Sequence, residues 1–264
     1  MKYQNLRLLL VLTLSLFFSI PLLTTNYYVA PVAQYPAAND NNLGTSLERP
    51  FATLAKAISK ANVAGDTIFV RSGTYTVNTT IRITRSGTVA KHYVLTAYKP
   101  DLVNADSRPV FDFSGMAVAD GNIGFNITNA SYWDIYGIVI KGAGDNGMLL
   151  QNSAHHHKIE FCSFSRNRDT GLQLKSGANR CLILNCDSYE NADLGPGTTS
   201  LGGNADGFAP KLDVGDRIIF RGCRAWMNSD DGWDGYLKTA GTSFSQGMTT
   251  TLKIAGPSAM DVTG

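Results

Sequence analysis

Four aspartates crowd one short stretch of the chain. Asp206 lies in Asn204-Ala-Asp-Gly-Phe208, and Asp230, Asp231 and Asp234 lie in Asn228-Ser-Asp-Asp-Gly-Trp-Asp234. Asp206 precedes Gly207 as Asp231 precedes Gly232, and the two glycines are 25 residues apart. An Asp-Gly pair alone marks a turn, and Asp145, Asp169 and Asp193 read as turn formers. A turn does not account for Asp230 and Asp234 on either side of Asp231. Carboxylates gathered in one place repel one another unless a cation sits among them. Oxygen donors without histidine or cysteine select a hard ion, Ca2+ ahead of Mg2+.

Two further groups stand out by type. Lys211, in Ala209-Pro-Lys beside Asp206, is suited to binding a substrate carboxylate. His155, His156 and His157 are adjacent, which suggests a transition-metal site. Neighbours on a strand point to opposite faces, so all three cannot converge, and a solvated turn is the better reading.

The elements that would bring the four acids together are written in a repeat. Cys162-Ser-Phe-Ser-Arg-Asn167, Cys186-Asp-Ser-Tyr-Glu-Asn191 and Cys223-Arg-Ala-Trp-Met-Asn228 align without gaps, each after a β-branched or aliphatic run. A fainter copy has Ile138 and Ile140 at the cysteine and aromatic positions, and a glycine follows nine residues after each start, at Gly147, Gly171, Gly195 and Gly232. The first three starts are 24 residues apart and the last step is 37, which fits one inserted loop at Gly-Pro-Gly-Thr-Thr-Ser-Leu-Gly-Gly, residues 195 to 203. A period near 24 is too short for a strand plus a full helix. Three short strands joined by turns use the length, which is one coil of a parallel β-helix.

Equivalent residues of successive coils then stack about 4.8 Å apart. Expected ladders are Cys162, Cys186 and Cys223; Phe164, Tyr189 and Trp226; and Asn167, Asn191 and Asn228. The cysteines read as small buried apolar residues rather than disulfides, and the asparagines as amides bonding to one another at a turn. Asp206 and Asp231 fall on adjacent coils on one side of the solenoid.

Strands are also expected at 158–161, 181–184 and 217–220, and upstream at 66–70, 93–97, 110–113 and 125–127. Phe51, Leu54, Ala55 and Ile58 fall at i, i+3, i+4 and i+7, so residues 51–62 read as a short amphipathic helix that caps the first coil. The fold class is therefore all-β, a parallel β-helix with an N-terminal capping helix.

Residues 1–25 carry Lys2 and Arg7, no acid, and the apolar run Leu8 to Leu23, which reads as a secretory signal with cleavage near residues 25 to 34. The chain has 23 lysines and arginines against 21 acids, and Lys2 and Arg7 make up the excess. A balanced mature chain excludes bulk attraction to nucleic acid or an anionic membrane. Expected parts are the leader, a β-helix over 26–236 and a tail over 237–264 in which the repeat is lost.

Asn204-Ala-Asp-Gly-Phe-Ala-Pro-Lys211, followed by Gly222-Cys-Arg-Ala-Trp-Met-Asn-Ser-Asp-Asp-Gly-Trp-Asp234, resembles polysaccharide lyase family 9. These are secreted bacterial pectate lyases on a right-handed parallel β-helix. Tyr27-Tyr-Val-Ala, Pro50-Phe-Ala-Thr and Ala64-Gly-Asp-Thr-Ile-Phe-Val are similar to the first coil of such proteins but less specific. The resemblance covers residues 27 to 236. It implies that Asp206, Asp230, Asp231 and Asp234 bind a catalytic Ca2+, that the substrate is polygalacturonate or pectin, and that the reaction is β-elimination of 1,4-linked galacturonan.

The family's catalytic lysine sits in a later coil, in a Gly-Asn-Gly-Phe-Lys segment that this chain lacks. Lys238 and Lys253 fall in the tail, and the base is left unassigned. The expectation is a truncated or frame-shifted member, secreted, monomeric, and inactive for want of a base. The alternative is a non-catalytic glycan-binding or adhesive β-helix.

Overall fold

The structure is a computed structural model and describes residues 23–193 and 202–236. Every strand among the described residues is three to five residues long, and every pair in the three sheets is parallel. Among the described residues the first sheet has seven strands, in spatial order Asn26–Val29, Thr67–Val70, Tyr93–Ala97, Trp133–Tyr136, Lys158–Glu160, Leu182–Leu184 and Ile219–Arg221. The second has six, Thr74–Thr76, Val110–Asp112, Val139–Lys141, Ser163–Ser165, Asp187–Tyr189 and Arg224–Trp226. The third has five, Ile81–Ile83, Phe125–Thr128, Met148–Gln151, Leu172–Leu174 and Phe208–Pro210. The five coils that begin at Thr67, Tyr93, Trp133, Lys158 and Leu182 each give one strand to every sheet in chain order, with Asn26–Val29 before them and Ile219–Arg221 and Arg224–Trp226 after them. The molecule is a right-handed parallel β-helix.

One coil shows how the sequence builds this. Lys158–Glu160 ends at Phe161, Ser163–Ser165 ends at Arg166, and Leu172–Leu174 leads into the turn back to the first sheet. Both corner residues adopt a left-handed backbone, with φ of 55° and 56°. The first corner repeats at Gly137, Asn185 and Gly222, and the second at Gly142, Glu190 and Met227. Phe, Arg, Glu and Met in that conformation each cost about 1 kcal/mol or more, which stacking of the whole coil must offset.

Inside, Ile135, Ile159 and Ile183 stack from the first sheet, and Met148 and Leu172 from the third, all without exposed surface or nearly so. Cys162, Cys186 and Cys223 form the expected ladder, buried and unpaired, and backbone bonds link the coils along it (Asp187 N to Cys162 O, 3.0 Å; Arg224 N to Cys186 O, 2.9 Å). The asparagine ladder also forms. Asn167 Nδ2 donates to Asn191 Oδ1 and Asn191 Nδ2 donates to Asn228 Oδ1, both at 2.8 Å.

The expected aromatic ladder does not form. Phe164 pairs with Ser188, and Ser188 with Ala225, whereas Tyr189 and Trp226 lie in register with Ser165. Phe164 stands two residues after its cysteine; Tyr189 and Trp226 stand three after theirs. A one-residue offset on a strand reverses the face. Phe164 is therefore in the core, and Tyr189 and Trp226 stack outside, centroids 4.5 Å apart and 7° from parallel.

The helix covers Leu54–Lys60, with Thr53 as its N-cap, its Oγ1 accepting from Lys56 N. It begins later than the periodicity suggests because Phe51 is held in extended backbone, donating to Tyr28 O and accepting from Ala30 N. Leu54 and Ala57 are buried against the first coil, so the helix does cap it. The strand Asn26–Val29 is part of the first sheet, so a leader cut near residue 25 leaves it whole and a cut near 34 removes it. Residues 1–22 and the tail at 237–264 lie outside the described residues, and among the described ones no helix is long and apolar enough to cross a membrane.

Candidate functional site

The third sheet ends at Phe208–Pro210, and Trp233 extends it by one bridge to Phe208, their rings stacked 4.7 Å apart. This pairing fixes the acids. Gly171 N donates to Asp206 O and Gly207 N to Asp231 O, each at 2.9 Å, so Asp206 and Asp231 are neighbours on successive coils. Gly207 does not take a left-handed backbone; its missing side chain matters because a Cβ there would lie 2.6 Å from Gly232 O and 2.7 Å from Ala225 Cβ. The Asp-Gly pairs are thus places of close coil contact. The glycine below Gly171 is Gly207 rather than Gly195, which lies outside the described residues, so the insertion falls before Gly207.

Asp206, Asp230 and Asp231 each offer a carboxylate oxygen, and these oxygens lie within 4.8 Å of one another. Asp206 has no exposed surface, while Asp230 and Asp231 are half-buried. Asp234 joins the set through Lys211, whose Nζ lies 2.7 Å from Asp206 Oδ2 and 2.9 Å from Asp234 Oδ2. Asp206 Oδ2 also accepts from Thr170 Oγ1 at 3.1 Å, and its Oδ1 from Asp231 N at 3.3 Å.

Charge and burial pull in opposite directions here. Burial pushes the Asp206 carboxyl up to about 6, in spite of the Lys211 ammonium. Burial and then the charge of Asp231 raise Asp230; burial and then Asp234 raise Asp231. Burial alone would pull the Lys211 ammonium down, but Asp206 and Asp234 together hold it above its ordinary range. For the acid, desolvation wins over one partner; for the lysine, two partners win over desolvation. Lys211 is firmly charged in this arrangement and cannot accept a proton. The donor set itself, carboxylates with no imidazole or thiol, suits a hard divalent cation.

Three other aspartates, which read as turn formers in the sequence, continue the acidic column into earlier coils. Asp145, Asp169 and Asp193 occupy the same place in their coils as Asp230, two residues past the asparagine-ladder position. Asn146 Nδ2 donates to Asp145 Oδ1 and Asp169 Oδ2, both at 2.7 Å, and burial followed by the charge of Asp145 pushes Asp169 up to about 7. Asp193 is 3% exposed, its Oδ2 has no hydrogen-bond partner among the described residues, and its charge acts on Asp230. The common offset of seven residues from Ile138, Cys162, Cys186 and Cys223 was the available signal.

The histidines are not one solvated turn. His156 takes a left-handed backbone (φ 56°), which brings its Nδ1 within 2.6 Å of His155 Nδ1. His157 is buried; its Nε2 donates to Ala130 O, its Nδ1 accepts from Trp133 N, and burial pushes it down to about 4.

Comparison with known proteins bears on this site. The family described as "Pel9A-like, right handed beta helix region" matches residues 27–256. "Pectate lyase L" of Paenibacillus polymyxa (strain SC2) is 40% identical over 187 residues, which is 66% of this chain and 38% of that protein. The crystal structure of pectate lyase Pel9A superposes with a TM-score of 0.67 at 33% identity, covering 80% of this chain and 50% of that one. A structure titled "Rhamnogalacturonan lyase" gives 0.64 at 28% identity, covering 80% and 53%. The chain spans half or less of the pectate lyases it matches.

Proposed function

The chain belongs to polysaccharide lyase family 9, the Pel9A-like right-handed β-helix proteins, and from that membership we propose that it is a secreted, Ca2+-dependent pectate lyase-like protein acting on 1,4-linked galacturonan. The observation that carries this reading is the convergence of Asp206, Asp230 and Asp231 on one point, with Asp234 tied to them through Lys211. Asp206, Asp230, Asp231 and Asp234 would hold the Ca2+, which when bound would supply Lewis acidity to a uronate carboxylate and so make the neighbouring C5–H more acidic.

The chain's own residues then have distinct tasks. Asp206 is fixed by Thr170 and by the backbone of Asp231, so its position does not depend on the metal. Lys211 is the counter-charge of the acids, and becomes available to a uronate carboxylate when a divalent cation takes over Asp206 and Asp234. In the elimination a base removes the C5 proton, the electron pair forms the C4–C5 double bond, and the C4–O bond breaks, its oxygen leaving protonated. Lys211 is assigned to the substrate carboxylate rather than to proton removal, because its ammonium lies against the acids themselves. The alternative is a Ca2+-dependent galacturonan-binding β-helix that does not cleave.

Incubation with polygalacturonate separates the two. Ultraviolet-absorbing unsaturated product that forms only with calcium supports the lyase. Calcium-dependent binding without product supports the binding protein, and reducing ends without ultraviolet absorbance point to hydrolysis and against both.

A further inference from the structure

Beside the acidic set, the outward face of the third sheet forms a groove of about 440 Å3 that runs along the solenoid toward earlier coils. Its floor is set by register. Lys175 N donates to Leu150 O and Lys211 N to Leu174 O, both at 3.0 Å, so Gln151, Lys175 and Lys211 follow one another on successive coils at the same end of their strands. The two lysines differ in one respect. Lys211 is held by Asp206 and Asp234, whereas Lys175 is half-buried in the groove and has no ion-pair partner among the described residues.

We infer that Lys175 is a carboxylate-binding subsite of this groove, taking the uronate next along the chain from the one at the acidic set. The inference rests on the galacturonan reading above.

Three features of the groove fit a uronic acid better than a simple anion. Charge comes first: a half-buried ammonium without a partner is stabilised by an incoming carboxylate, and a polyuronate presents one carboxylate per sugar. Spacing follows, since neighbouring coils lie about 4.8 Å apart, comparable with the length of one pyranose ring, so cations on successive coils can meet carboxylates of successive sugars. The opposite wall is acidic, formed by Asp145 and Asp169, with Asn146 between them. Carboxyl oxygens there retain acceptor capacity for sugar hydroxyls whether or not Asp169 is protonated. A ligand with acidic and hydroxyl groups on the same ring satisfies both walls, whereas an inorganic anion is repelled by one of them.

Gln151 ends the run of cations that Lys211 and Lys175 begin. Its Nε2 donates to Asn126 Oδ1 at 3.2 Å, and Thr128 precedes it in the same column, so the two coils before Lys175 offer neutral side chains in this column, and Arg82, opposite Asn126, stands on the coil before those. Lys175 is therefore the ammonium that a galacturonan reaches next after the acidic set.

The test is calorimetric titration of the full chain with a galacturonate hexamer in the presence of calcium, using the wild type, Lys175→Gln and Lys175→Arg, together with titration of calcium alone. Loss of one charge-assisted bond predicts roughly tenfold weaker hexamer binding by Lys175→Gln, with calcium affinity unchanged and binding largely recovered in Lys175→Arg. A fully methyl-esterified hexamer should not distinguish wild type from Lys175→Gln. Equal hexamer binding by wild type and Lys175→Gln overturns the subsite and leaves the galacturonan reading standing. Parallel loss of calcium affinity in Lys175→Gln also overturns it, because the lysine would then belong to the acidic set. A wild type that binds calcium but no hexamer overturns the galacturonan reading and the subsite with it.

Discussion

Lys211 Nζ stands 2.7 Å from Oδ2 of Asp206, a carboxylate with no exposed surface, and reaches Asp234 on the next coil at 2.9 Å. One ammonium thus holds two acids of adjacent coils in the place where a divalent cation is proposed to sit. Removing one partner of a buried ion pair costs about 3–5 kcal/mol, because the other charge is left without compensation. Lys211→Gln should accordingly lose stability of that order in chelator at neutral pH, and calcium should restore more of it than in the wild type. Urea unfolding with and without chelator measures both. A variant as stable as wild type in chelator would show that Lys211 does not neutralise the set.

The same carboxylates give calcium a pH-dependent effect. Asp206 holds its proton more tightly folded (about 6) than unfolded (3.8), so its contribution to the cation-free fold is fully present below about pH 4 and is lost as pH rises through 6. That loss amounts to about 3 kcal/mol at most. His157 has the opposite sign: lowered to about 4 from 6.5, it contributes fully above 6.5 and loses that contribution as pH falls toward 4. Calcium binds the ionised acids, so the rise in Tm on adding calcium should be small at pH 4.5 and grow toward pH 7.5. A calcium increment that is flat across this range would detach the ion from Asp206.

Asp231 tests the metal assignment without disturbing the core. It is half-buried, and its backbone amide rather than its side chain contacts Asp206. Asp231→Ala should melt close to wild type in chelator, and should lose most of the calcium-induced rise in Tm. Identical calcium responses in the two proteins would rule Asp231 out as a ligand.

Legibility in the sequence followed the chemistry more closely than the geometry. The 24-residue period and the cysteine and asparagine ladders stood out because identical side chains recur at one offset, and stacking identical residues is what a β-helix does. The acids stood out because Asp230 and Asp234 flank a turn that does not need them. The corners did not. Phe161, Arg166, Glu190 and Met227 turn the chain in a left-handed backbone without glycine, so residue type gives no sign of them. Asp193 stands at the same seven-residue offset as Asp230, but no second acid flanks it, so it reads as a turn former. Similarly, Asp169 looked like a corner residue until the turn was seen to bury it beside Asp145.

The aromatic residues give a prediction that depends on register alone. Sequence alignment placed Phe164, Tyr189 and Trp226 together, yet the strand pairing sets Phe164 opposite Ser188 and sets Tyr189 opposite Trp226. Phe164 has no exposed surface and meets the Phe208 ring edge-on at 6.3 Å, so it belongs to the packing beneath the strand that carries Lys211. Truncating a buried phenylalanine leaves a cavity and costs about 3–5 kcal/mol. Tyr189 is half-buried and loses mainly its stack on Trp226, worth about 0.5–1.5 kcal/mol beyond area burial. Phe164→Ala should therefore destabilise the fold by several times more than Tyr189→Ala and should also weaken calcium binding, since Phe208 leads directly into the strand end that positions Lys211 and Asp206. Tyr189→Ala should leave calcium affinity alone. Equal destabilisation by the two would place all three rings on one face and contradict the strand register.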